Sequence, residues 1–73
     1  MRRYEVVTYS DDIGTDTHMD FDKLFTAILN AGGYKGREEY AAVYDRIDNI
    51  AFVVFGSILS PAFSESVRVI SIQ

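Results

Sequence analysis

Cysteine is absent from this 73-residue chain, so neither a disulfide framework nor a thiolate metal site can supplement its core. Tryptophan is absent too, and Pro61 is the single proline. No repeat, low-complexity tract or interdomain linker is visible. Long hydrophobic runs are missing: Ile50 to Phe55, extended weakly through Ile58 and Leu59, falls far short of the roughly 18 to 20 residues that span a bilayer. Arg2 and Arg3 stand where a signal peptide has its charges, but Glu5, Thr8, Ser10, Asp11 and Asp12 interrupt any apolar segment behind them. The expectation is a mature, soluble, cytoplasmic chain.

What is present favours folding. Hydrophobic residues make up 48% of the chain, with five Phe and five Tyr, well above disordered compositions. There is room for one domain, residues 1–73, and chains of this size bury only about 60 to 65% of their unfolded surface. A single core this small rarely supplies more than about 3 to 5 kcal/mol, so a homodimer is in view from the start.

A helix is expected from near Asp20, where Phe21, Leu24, Phe25, Ile28 and Leu29 follow offsets 0, 3, 4, 7 and 8 of one face. Asp20 is placed to cap it, Asp22 to complement its dipole and Met19 to form a hydrophobic staple with Leu24. Gly32 and Gly33 are expected to end it with a left-handed residue. A second helix is expected over about Arg37 to Asp48, on the stripe Tyr40, Val43, Tyr44 and Ile47; the competing strand reading of residues 40–47 is the weaker one, because alternation there separates polar from apolar residues poorly. Strands are expected at Arg3 to Tyr9, at Ile50 to Phe55 and at Ser66 to Ile72, the second interior because it is apolar without alternation. The fold class is therefore α+β in the order β-α-α-β-β: a mainly antiparallel three-stranded sheet, its last two strands antiparallel, with both helices on one face. Ser10 to Met19, Gly32 to Gly36 and Gly56 to Glu65 are left irregular.

The net charge of −4 sits wholly in residues 1–22, where Glu5, Asp11, Asp12, Asp16, Asp20 and Asp22 face only Arg2 and Arg3. Such a field attracts basic partners and repels nucleic acid and anionic membranes. The stretch Asp11 to Asp22 also holds His18, yet its spacing matches no calcium loop, and one His is too few for zinc. No metal or cofactor is expected. Gly32 to Arg37 lacks the order of a phosphate-binding loop and follows a helix, so helix termination explains its glycines. His18 with Asp16 or Asp20 and a serine forms no recognisable catalytic set, and the chain is expected not to be an enzyme. Tyr40 and Tyr44 are expected to pack inward, while Tyr34, in a loop, is the tyrosine expected at a contact surface.

Short, acidic, cysteine-free and without a catalytic constellation, the chain resembles small phage-encoded modulators of host proteins in size and charge, not in matched residues. The expectation is a protein-interaction module: an acidic inhibitor of a basic, nucleic-acid-binding protein, acting by nucleic-acid mimicry. Asp11, Asp12, Asp16, Asp20, Asp22 and Tyr34 are its expected contact residues, with no direct binding to nucleic acid or membrane. The alternative is a structural subunit that self-associates through an apolar sheet face.

Overall fold

The computed structural model describes residues 1–56 and 63–73. The Val, Tyr and Thr side chains after Arg3 form β1 (Tyr4–Ser10), and the chain then reverses into β2 (Gly14–Phe21). A helix, α1 (Leu24–Gly32), leads to β3 (Tyr40–Asp45), β4 (Ile50–Phe55) and β5 (Arg68–Ser71). All five strands join one mixed sheet in the order β2-β1-β3-β4-β5, antiparallel except for the parallel pair β4 and β5.

This overturns the expected three-stranded sheet with two helices. The segment expected as a second helix is β3, and its neighbours explain why. Tyr40, Ala41, Ala42, Val43 and Asp45 are all buried, whereas a surface helix would turn one side to water. As a strand paired on both sides, the segment sends Ala41 and Val43 into the cluster beneath α1 and Tyr40 and Ala42 into a cluster on the opposite face. The stretch Ser10 to Met19, expected as loop, mostly builds β2. Its pairing with β1 runs through Thr8↔Asp16 and Tyr4↔Phe21, with a register shift between Glu5 and Val7. The last two strands pair parallel, not antiparallel, because the chain crosses back between them before β5 begins. Most of the expected irregular stretch Gly56 to Glu65, Pro61 included, lies at 57–62, outside the described residues. Ile50 to Phe55 is an interior strand, as its unbroken apolar run implies.

The helix also differs from expectation at both ends. Asp20 and Phe21 continue β2, so Lys23 occupies the N-cap position in extended conformation with no side-chain cap. Met19 is largely exposed and forms no staple. At the other end Gly33 is right-handed (φ −66°), leaving the freedom of the two glycines unused. With the start moved to Leu24, the buried stripe is centred on Ala27 and Ala31, flanked by Leu24 and Ile28, while Phe25 and Leu29 turn outward. Alanine at these positions brings the helix close to Val6, Ala41 and Val43.

The other sheet face is covered where Phe63 packs at a tilt against Tyr40 and Tyr44, with ring centroids at 6.4 and 5.9 Å. Gly56 follows β4 at φ 96°, and a Cβ there would stand 2.2 Å from the Glu39 carbonyl oxygen. No other residue type fits.

Candidate interaction surface

The turn between β1 and β2 is closed by the pair Ser10↔Gly14, and Gly14 takes φ 84° so that three residues, Asp11, Asp12 and Ile13, suffice. All three are exposed. The Asp11 amide donates to Glu39 Oε2 at 2.6 Å, and the Glu39 amide donates to the Tyr9 carbonyl at 3.0 Å. Pairing of β1 with β3 therefore carries Glu38 and Glu39 to the end of the sheet where Asp11 and Asp12 protrude. Asp16, two residues into β2, is exposed nearby. This end holds Asp11, Asp12, Asp16, Glu38 and Glu39 against Lys35 and Arg37, and so carries most of the net negative charge.

Asp20 and Asp22 lie elsewhere. At about 3.4 Å per residue, β2 separates them from the turn by roughly 25 Å. Here the arginines gather: Arg46 bonds the Glu5 carboxylate and stands 3.3 Å from Asp20, while Arg2 approaches Asp22 at 3.9 Å. Partial burial of Asp20 opposes its ionisation, but the Arg2 amide and the Arg46 charge outweigh this and hold its carboxyl below the usual range. Arg3 grips Asp45 through two bonds of 2.9 Å and reaches Asp48 at 3.1 Å. Asp45 also accepts the amides of Ile47 and Asp48. The Arg3 fork, aided by those amides, outweighs burial and lowers the Asp45 carboxyl as well. Among the described residues, every ion pair belongs to this lower end, and none reaches Asp11, Asp12, Asp16 or Glu39.

Between the two ends lies the only histidine. His18 Nε2 is 2.7 Å from the hydroxyl of fully buried Thr8. Tyr34 stacks on the imidazole at 4.4 Å, and the Arg37 guanidinium lies over the Tyr34 ring at 5.0 Å. Tyr34 is thus half-buried and packed against the helix-side core, so it pins the segment after α1 to β2 more than it projects.

The six expected contact residues therefore divide. Asp11, Asp12 and Asp16 share the acidic end, Tyr34 lies beside it in a stack, and Asp20 and Asp22 stand at the arginine-rich end. Glu38 and Glu39 were missed, and no local signal announces them, because only the β1–β3 register brings them to the turn.

Among the described residues, no three His, Cys, Asp or Glu side chains converge as metal ligands. A depression of about 210 Å³ at the start of α1, lined by Arg2, Phe21, Asp22, Lys23 and Thr26, is below the roughly 300 Å³ of typical ligand sites. No described helix is long and apolar enough to cross a membrane. Comparison with family models, curated proteins and solved structures returned no match.

Proposed function

We propose that this chain is a non-enzymatic protein-interaction module whose acidic end engages a basic protein surface, as a small inhibitor or modulator of a nucleic-acid-binding partner in the cytoplasm. The observation that supports this reading is the segregation of charge: arginines neutralise the carboxylates at one end of the sheet, while Asp11, Asp12, Asp16 and Glu39 at the other have no ion-pair partners among the described residues. A fixed tip carrying these charges is attractive to Lys- and Arg-rich grooves and steers association at low ionic strength. The lack of cysteine suits a reducing compartment. Asp20 and Asp22 take a supporting part at most, since a partner would have to displace Arg46 or Arg2.

The test is capture of partners from a lysate across a salt series, then titration of the purified pair. Replacing Asp11, Asp12 and Asp16 together with Asn is expected to weaken binding by roughly tenfold at low salt, about 1.4 kcal/mol, with the loss shrinking as salt rises. Asp48→Asn, at the opposite end, is the control and leaves binding near its original strength. Competition by DNA or RNA for the same partner supports mimicry. A partner held equally well by the triple variant refutes the acidic-tip reading.

A further inference from the structure

Strand β2 lies at one edge of the sheet, and the alternation of an antiparallel ladder fixes which of its backbone groups point outward. The Glu39 and Arg46 amides donate to the Tyr9 and Arg3 carbonyls, so the odd-numbered residues of β1 turn their backbone toward β3 and the even-numbered ones toward β2. Gly14 and Asp16, opposite Ser10 and Thr8, therefore turn toward β1, and Thr15 and Thr17 send their N–H and C=O groups outward. Both threonines are exposed, and these four groups have no hydrogen-bond partner among the described residues. The register shift opposite Glu5 to Val7 ends this regular stretch. Beyond it the edge is already met by a cation: the Arg2 guanidinium donates to the Asp20 carbonyl at 3.3 Å and approaches the Asp22 carboxylate at 3.9 Å.

Charge selects what can fill the stretch that Arg2 does not reach. Residues 4–22 hold six carboxylates and no lysine or arginine. Asp16, between the two threonines, is exposed and has no ion-pair partner among the described residues. A strand laid alongside places one of its side chains about 5 Å from Asp16 on the same face. A second copy of β2 would bring its own Asp16 and Asp20 to this edge, whereas a lysine or arginine does at Asp16 what Arg2 does at Asp22.

We propose that an extended, lysine- or arginine-bearing segment of a partner protein adds to β2 at Thr15 and Thr17, with its cation opposite Asp16. The inference rests on the basic partner proposed above and specifies how that partner is held. Main-chain bonds supply the geometry, and the carboxylate supplies the preference.

The probe is a blocked eight-residue peptide alternating lysine and threonine, added to the isotopically labelled chain and followed by NMR. The Thr15 and Thr17 amide signals are expected to move and their hydrogen exchange to slow. Methylating the peptide's threonine nitrogens keeps every charge but removes the donors, and is expected to weaken binding roughly tenfold or more. A peptide with glutamate in place of lysine is expected not to bind. Thr17→Pro withdraws an outward N–H while sparing the bonds to β1, and is expected to weaken the lysine peptide by a similar factor. If that variant fails to fold by circular dichroism, the methylated peptide decides. Unmoved Thr15 and Thr17 amides, or equal binding of the glutamate peptide, overturn the proposal. Equal binding of methylated and unmethylated peptides also overturns it, while leaving the acidic tip as an electrostatic site. If methylation weakens the peptide but Asp11→Asn with Asp12→Asn leaves a captured partner's affinity unchanged, the tip reading falls and strand addition stands.

Discussion

Asp45→Asn removes the anchor of the β3–β4 turn while leaving shape nearly unchanged. Asp45 is 3% exposed and accepts four bonds: two from Arg3 at 2.9 Å and the amides of Ile47 and Asp48 at 3.0 and 3.3 Å. Asparagine retains one oxygen, which can still accept from the turn amides, but it presents an NH2 to one Arg3 donor. A hydrogen bond to a charged group is worth about 1.5 to 3 kcal/mol, and breaking a fully buried pair costs about 3 to 5 kcal/mol. The Arg3 side chain is 37% exposed, so water screens part of the interaction, and a loss of about 2 kcal/mol is the expected value. In a chain of this size that lowers the thermal midpoint by roughly 8 to 16 °C. The dependence on pH makes the test specific. The Asp45 carboxyl is depressed in the folded protein, so its contribution is fully present above the unfolded value near 3.9 and is lost as pH falls through the lower folded value. Thermal melts followed by circular dichroism should therefore show a wide gap between wild type and Asp45→Asn at pH 7 that narrows as pH falls below the ordinary carboxylate value. A gap that persists undiminished at pH 2, or no gap at pH 7, would show that the ionised pair is not what holds the turn.

Two further substitutions probe the fold at points where geometry leaves little freedom. Gly56→Ala places a methyl group against the backbone of Glu39 and Tyr40 in a left-handed conformation, and urea denaturation should register a loss above about 3 kcal/mol or no folded protein at all. Thr8→Val keeps the buried volume but withdraws the partner of His18 Nε2; a loss of about 1 kcal/mol is expected, together with a shifted His18 ring signal in NMR spectra as its stack on Tyr34 loosens.

The legible parts of this fold are those in which local pattern and tertiary role agree. Ile50 to Phe55 carries β-branched and aromatic residues on both sides, which suits an interior strand and nothing else of that length. Helix α1 is visible as an element, but its start is not: the stripe Phe21, Leu24, Phe25, Ile28 and Leu29 is genuine in the sequence, yet Phe21 is taken by pairing with Tyr4. Two alanines then win the interior from larger residues because they permit a closer approach. Residues 40–45 mislead for a related reason. Burial on both faces erases the alternation by which strands are recognised, and Tyr40, Val43, Tyr44 and Ile47 then imitate helical spacing. The signal for β2 was present but faint: Thr15, Thr17 and Met19 alternate with Asp16, His18 and Asp20 immediately after the turn Asp-Asp-Ile-Gly. The candidate surface was legible only in its Asp11, Asp12 and Asp16 portion. Its Glu39 neighbour depends on β1–β3 register, and the neutralisation of Asp20 depends on Arg46, 26 residues away.

The position of β2 at the rim of the sheet carries a hazard. Its outer backbone groups bond to no other described strand, and it contains neither proline nor lysine, the usual deterrents to strand-to-strand aggregation. Asp16 and Asp20, together with the irregular register opposite Glu5 to Val7, are features of the kind that disfavour addition of a neighbouring copy as a sixth strand. Asp16, proposed for recognition, thus has a second consequence in this fold: it sets a charge on the rim along which another strand would have to add.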